Sequence, residues 1–170
     1  MTVGAQAALA SRTDHRLAHV ELTGEALTRL SPLLEADRTQ AVADLAADNH
    51  FAPILPATRT DGPFVLHLSI QDGRLVFDIR DADATKLVAV GLALGPFRPL
   101  MKDYQLLVES YGTAIAEGRE SRIQAIDMGR RGLHDEGARL LTARLAGKIA
   151  IDFATARRLF TLVAVLHQRG

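Results

Sequence analysis

The hydrophobic pattern of the chain changes its period at Gly95-Pro96. Before this dipeptide, apolar residues alternate with polar ones in short runs, most clearly over residues 64–70 and 75–79. Asp72-Gly73 lies between those two runs, and both residues tolerate the positive φ of a tight hairpin turn. After Gly95-Pro96 the apolar residues recur about every 3.6 positions, as in helices. A strand-rich half followed by a helical half predicts an α+β fold.

The same patterns place the individual elements. Strands are expected at 15–22, 64–70, 75–79 and 87–94, and a loop with three prolines at 51–63. Ser31-Pro32 is typical of a helix start. Three further helices are expected at 98–117, 121–146 and 153–167, the last capped by Asp152. We therefore predict an antiparallel sheet of about four strands, packed against three C-terminal helices and one N-terminal helix.

The length of 170 residues suits one domain with its own core. Residues 1–14 show no periodicity and predict a mobile tail, so the single α+β domain is expected to span 15–170. The tail has no basic segment followed by a long apolar run, and no apolar run reaches the ~20 residues of a membrane span. A cytoplasmic protein without membrane contact is expected.

Charge is balanced overall but not along the chain. Lys and Arg number 20, as do Asp and Glu, yet residues 1–85 carry 12 acidic and 7 basic side chains and residues 86–170 carry 8 and 13. A net charge of zero gives no general attraction to nucleic acid, so a nucleic-acid partner is not expected. The basic C-terminal half can still hold a local anion site.

Familiar catalytic and metal motifs are absent from the sequence. Gly147-Lys148 lacks the other residues of a phosphate-binding loop, and neither Gly-x-Ser-x-Gly nor His-Glu-x-x-His occurs. The chain has no Cys, which removes thiolate zinc sites and cysteine nucleophiles. His15 and His19 would lie about 13 Å apart on a strand. We predict no metal and no cofactor.

One polar cluster stands out, in residues 126–137. Helical spacing brings Asp127, Arg130, Arg131 and His134 onto one stripe. Two guanidinium groups could bind a phosphate or carboxylate, and His134 could transfer a proton while Asp127 or Glu136 orients it. The alternative is structural: Asp127 pairs with Arg131, His134 caps a bent helix, and the nearby glycines allow close packing. Both interpretations stay open here.

Three glycines interrupt this helix, at Gly129, Gly132 and Gly137. Each costs up to ~1 kcal/mol relative to Ala in a helix interior. Gly132 is the expected point of a bend or break near Arg131. On that basis Gly132→Ala should destabilise the protein, whereas Gly137→Ala should be neutral or stabilising.

Two smaller basic clusters could join this stripe in space. Arg98 and Lys102 open the first C-terminal helix, where free backbone N–H groups also attract anions. Arg157 and Arg158 lie early in the last helix. Arg98 and Lys102 are therefore added to Asp127, Arg130, Arg131 and His134 as candidate ligand-binding residues.

Three segments together carry a resemblance to a known family. They are the Gly-Pro-Phe-Arg and Lys-Asp-Tyr motifs within 95–104, the run at 126–137, and Asp-Phe-Ala-Thr-Ala-Arg-Arg-Leu-Phe-Thr-Leu at 152–162. Over about residues 15–167 the chain resembles an uncharacterised bacterial protein family, the one numbered 0262. The resemblance implies no particular activity.

The stripe supports two main hypotheses of function. The first is a cytosolic binding or regulatory module whose Arg/His/Asp surface takes an anionic small molecule or a protein partner. The second is a small enzyme acting on a phosphorylated or carboxylated metabolite, with His134 as general acid or base. A homo-oligomer is compatible with either. Nucleic-acid binding is a third and weaker hypothesis, because only eight aromatic residues are available for stacking.

Overall fold

The structure is a computed structural model that describes residues 14–23, 30–56 and 62–168. Of the expected tail at 1–14, only Asp14 lies within the described residues. Strands dominate the first half of the described chain and helices the second half, so the predicted α+β class is confirmed.

Four strands form the main sheet: β1 (Leu17–Leu22), β3 (Phe64–Gln71), β4 (Arg74–Arg80) and β5 (Lys86–Ala93). They lie in the order β1-β3-β4-β5. The pairs β3–β4 and β4–β5 are antiparallel, but β1 pairs with β3 in parallel. The prediction of a wholly antiparallel sheet is corrected at this edge, since a helical crossover lies between β1 and β3 and lets the two strands run in the same direction.

The β3–β4 hairpin is confirmed. Asp72 and Gly73 both have positive φ, 52° and 72°, as a tight turn between twisted strands requires. Gln71 is opposite Arg74 across the turn, and this register brings Leu66, Leu68, Leu75 and Phe77 onto the buried face. The alternation of the sequence therefore fixed both the pairing and the buried side.

Two short strands were not predicted from the sequence. Residues 51–63 were expected to be a loop, but β2 (Phe51–Pro53) pairs antiparallel with β6 (Ile149–Ile151) in a second, two-stranded sheet. Strands of three residues are too short to show a period of two. The first strand also departs from strict alternation, since a bulge between Leu17 and His19 leaves Leu17 and Val20 both buried.

The described residues form four α-helices: α1 (Pro32–Ala47), α2 (Arg98–Glu117), α3 (Glu120–Leu145) and α4 (Phe153–His167). Helix α1 packs on β1 and α4 packs on β3. The Ser31 hydroxyl accepts the Leu34 N–H at 3.3 Å, and the Asp152 carboxylate accepts the Thr155 N–H at 2.8 Å, so both predicted N-caps are confirmed. Helix α4 is the central one. It packs on β3, α1 and α3, and every residue from 159 to 166 is buried.

Helix α3 runs without a break through Gly132, so the predicted bend near Arg131 is wrong. A Cβ built on Gly132 meets no atom within 4 Å, whereas one on Gly137 would overlap the Phe160 ring of α4. The glycine that the fold needs is therefore Gly137, because the Phe160 ring of α4 occupies the space that a side chain would take there. The sequence could not show which glycine faces the neighbouring helix.

Two polar residues fix α1 against the rest of the fold. The Asn49 side chain accepts the Leu17 N–H at 2.7 Å and donates to the Leu17 and Leu45 carbonyls at 2.9 and 2.8 Å. The Thr155 hydroxyl of α4 accepts the His50 N–H at 2.9 Å. These bonds hold the C-terminal end of α1 against β1 and α4, and so set one wall of the cleft that α1 forms with α3 and α4.

Candidate active-site cleft

A cleft of about 430 Å³ opens between α1, α3 and α4. Its lining is rich in charged and polar side chains from all three helices: Asp37, Gln40, Ala41, Asp44, Arg130, Arg131, His134, Arg157, Arg158 and Thr161. We call Asp37, Tyr104, Arg130 and His134 the floor, and Asp44, Arg131, Arg157 and Arg158 the rim.

The floor is built around the Asp37 carboxylate, which is only 9% exposed. The Tyr104 hydroxyl of α2 donates to one of its oxygens, and the Arg130 guanidinium donates to the other. Arg130 also donates to Asp127 at 3.2 Å. A buried carboxylate is tolerated where both oxygens have donors, so this network satisfies the charge that α1 carries into the helix interface.

Burial and neighbouring charges shift the pKa values of Tyr104 and Arg130 in the floor. Burial raises the pKa of the Tyr104 hydroxyl well above its ordinary value, and the neighbouring Asp37 charge raises it further. Burial lowers the pKa of Arg130, but Asp37, Tyr104 and Asp127 together outweigh that effect and the pKa is raised overall. Tyr104 therefore remains a hydrogen-bond donor, and Arg130 remains a cation.

His134 lies over this network. Its ring stacks on Tyr104 at 5.6 Å between centroids and meets the edge of Phe160 at 6.4 Å. Its Nε2 atom is buried without a hydrogen-bond partner among the described residues. Burial lowers the pKa of His134 to about 4, with Asp37 opposing this shift and Arg130 and Arg157 adding to it. The imidazole is therefore neutral at pH 7.

The rim is more open and its arginines differ in their partners. Arg157 donates to Asp135, and Arg158 Nε lies 3.6 Å from the Asp44 carboxylate. Gln40 holds the other oxygen of Asp44 with a hydrogen bond of 2.8 Å. Arg131 is exposed and forms no ion pair with any residue that the structure describes.

The structure brings only some of the predicted residues together. Arg130, Arg131 and His134 line the cleft, and Asp127 reaches it through Arg130. Two parts of the structural alternative are wrong, because Asp127 pairs with Arg130 and the helix is continuous, so His134 caps no bend. Its third part, close packing at a nearby glycine, is confirmed at Gly137, which lies against Phe160. Glu136 is exposed and does not line the cleft.

Arg98 and Lys102 do not join this cleft. Both are exposed near the start of α2 and are not part of its lining. Arg98 instead lies close enough to His167 to affect it: burial first, and then the Arg98 charge, lower the pKa of that imidazole. The geometry thus separates the α2 start from the 126–137 stripe.

Sequence reasoning missed Asp37, Asp44 and the hydroxyl of Tyr104. Asp37 could have been predicted from the sequence, since it lies between Leu34 and Ala41 on the buried face of α1. A carboxylate at an apolar position indicates a buried partner. Tyr104 lies on the buried face of α2, but nothing in the sequence pairs its hydroxyl with α1.

Comparison with known proteins identifies the relatives of this chain. The model of the Uncharacterised protein family (UPF0262) matches residues 14–169. The chain belongs to this family. A UPF0262 protein of Granulibacter bethesdensis is 66% identical over 91% of this chain and 90% of its own length. One from Acidiphilium cryptum is 60% identical (91% and 94%), and one from Rhodopseudomonas palustris strain HaA2 is 49% identical (93% and 95%).

The family is bacterial in these examples, and its name assigns no function. No solved structure matches the chain at a significant level. Across residues 14–23, 30–56 and 62–168, none of the helices has the length and apolar character of a membrane span. The same residues contain no group of three or more His, Asp or Glu side chains arranged to hold a metal ion.

Proposed function

We propose that the protein is a binding module for a small anionic ligand, held in the cleft between α1, α3 and α4. The observation that carries this proposal is the convergence of four arginines from α3 and α4 on one cleft, where Arg131 has no ion pair among the described residues and Arg158 has only a 3.6 Å contact with Asp44. Guanidinium groups present paired donors that match carboxylate and phosphate oxygens. A volume of about 430 Å³ is in the range of small-molecule sites.

The floor supports binding more than proton transfer. General acid–base catalysis works best when the pKa of the catalytic group lies near the operating pH. The pKa of His134 is lowered to about 4, so this side chain has little capacity to donate a proton at pH 7. A neutral imidazole beside the cleft can instead exchange a hydrogen bond with an uncharged part of the ligand.

The alternative remains an enzyme that uses His134 as the general base on a phosphorylated or carboxylated metabolite. Its supporting observation is the buried, unpartnered Nε2 atom. Such an enzyme would have activity that rises from pH 3 to pH 5 as His134 loses its proton. A binding module catalyses no reaction, so it would show no such pH dependence of activity.

Titration calorimetry at low ionic strength tests the binding function, with inorganic phosphate and citrate as probes. We expect both anions to bind the native protein and to bind Arg131→Ala about tenfold more weakly, since Arg131 is an uncompensated cation at the rim. Arg122→Ala is the matched control, because Arg122 is an exposed arginine of α3 outside the cleft. Absence of binding for both anions, or equal losses in the two variants, would contradict the proposal.

A further inference from the structure

The four arginines of the cleft are not equally available. Arg130 donates to both Asp37 and Asp127, and Arg157 donates to Asp135. These two guanidinium groups are neutralised by charge-assisted hydrogen bonds, which are the strong kind. They form part of the cleft wall and are not available to bind a ligand.

Arg131 and Arg158 differ from them. Arg131 has no ion pair within the described part of the chain, and the Arg158–Asp44 pair is long at 3.6 Å. The Arg158 and Asp44 side chains are each about one-third exposed, at 34% and 36%. Ion pairs at this exposure are weak because water competes for both groups. The Arg157–Asp135 pair is equally exposed but is held by a hydrogen bond, which the Arg158–Asp44 pair lacks. A ligand can therefore take the place of Asp44 beside Arg158.

Asp44 has a second contact that keeps it in the cleft. Gln40, one turn earlier on α1, donates to its other oxygen at 2.8 Å. The carboxylate is thus held at the lining whether or not Arg158 is bound to it. It is the counter-ion of Arg158, and its charge opposes any incoming anion.

The position of the two available arginines distinguishes between anions. Arg131 lies on α3 and Arg158 on α4, so the two guanidinium groups reach the cleft from different helices. A carboxylate has two coplanar oxygens, which one guanidinium can satisfy. A phosphate ester has three oxygens in a tetrahedral arrangement and carries −1.5 to −2 charges near neutral pH, so it can engage two guanidinium groups at once.

We propose that the ligand is a phosphate ester whose phosphate group binds between Arg131 and Arg158 and displaces Asp44 from Arg158. This inference rests on the proposed binding function and adds the ligand class, the two binding arginines and the competing carboxylate. Gln40 and His134 are left to contact the remainder of the ligand.

The test measures dissociation constants for inorganic phosphate and for acetate at pH 8 and matched ionic strength. The native protein is expected to bind phosphate at least tenfold more tightly than acetate. Asp44→Asn should bind phosphate about fivefold more tightly than the native protein, since it removes a like charge beside the proposed anion site. Arg158→Ala should bind it about tenfold more weakly. Asp48→Asn, an exposed carboxylate at the end of α1 outside the cleft, should bind like the native protein.

The possible failures are distinguishable. Acetate binding as tightly as phosphate would overturn the ligand class but leave an anion site in place. If Asp44→Asn and Asp48→Asn behaved alike in a protein that binds phosphate, Asp44 would not be the competing counter-ion. If neither phosphate, acetate nor citrate bound the native protein, the binding function itself would fall. Thermal unfolding of each variant establishes that it is folded before its affinity is compared.

Discussion

The floor and the rim of the cleft use the same residue types in opposite ways. On the floor, Asp37 is 9% exposed and both of its oxygens accept hydrogen bonds from side chains of other helices. On the rim, Asp44 is 36% exposed and its contact with Arg158 is 3.6 Å long. Both carboxylates lie on α1, seven residues apart, and both face arginines.

The difference teaches what burial does to an ion pair. Where water is excluded, an unpaired charge is costly, so the partners on the floor are held together firmly and serve the fold. Where water reaches the pair, little is lost on separation, so the partners on the rim can be exchanged for a ligand. The floor stabilises the helix interface, and the rim is where we propose that the ligand binds.

Asp37→Asn is the substitution with the largest expected effect on stability. It removes the charge that Arg130 faces while keeping the size of the side chain, and we expect a loss of about 3 kcal/mol in the free energy of unfolding by urea. Asp44→Asn on the rim is the control and should change it by no more than about 0.5 kcal/mol. Equal effects of the two variants would remove the distinction between floor and rim.

Glycine substitutions in α3 compare the side of the helix that packs on α4 beneath the floor with the side that is open to solvent. Gly137→Ala should lower the free energy of unfolding by about 2 kcal/mol, because the added methyl group overlaps Phe160 beneath the floor. Gly132→Ala, on the open side of the helix, should raise it by about 0.5–1 kcal/mol. This reverses the expectation from sequence alone. A urea midpoint that rises for Gly137→Ala would contradict the close packing of α3 on α4.

The pH dependence of stability tests the environment of His134. Its folded pKa is lowered to about 4 from an ordinary value of 6.5, so the unfolded chain binds the proton first as pH falls below 6.5. Stability is therefore lost on going from pH 6.5 to pH 4, by up to about 2 kcal/mol at pH 5, and is unaffected above that window.

Urea unfolding at pH 7 and at pH 5 measures this loss. Between pH 7 and pH 5 the free energy of unfolding should fall by up to about 2 kcal/mol more in the native protein than in His134→Gln, which lacks the titrating group. The His167 imidazole, whose pKa is also lowered, is present in both proteins and cancels in the difference. His19→Gln, at an exposed histidine, should lose as much as the native protein. An identical pH response in His134→Gln and the native protein would place His134 in water.

The sequence by itself determined the elements whose signals are local. The alternation on either side of Asp72-Gly73 specified the hairpin, and Ser31-Pro32 and Asp152 specified helix starts, because turn geometry and N-caps depend on a few neighbouring residues. Helical spacing likewise placed Arg130 and His134 on one side of α3. Each of these features is decided within one or two turns of the chain.

Only the tertiary structure decided which distant groups meet. The parallel pairing of β1 with β3, the β2–β6 ladder and the contact of Asp37 with Tyr104 and Arg130 join residues that lie far apart in the chain. The roles of Gly132 and Gly137 were also decided there, since they depend on which side of α3 meets Phe160. A period in the sequence shows that a helix has a buried face, but the partner of that face is set by how the helices pack.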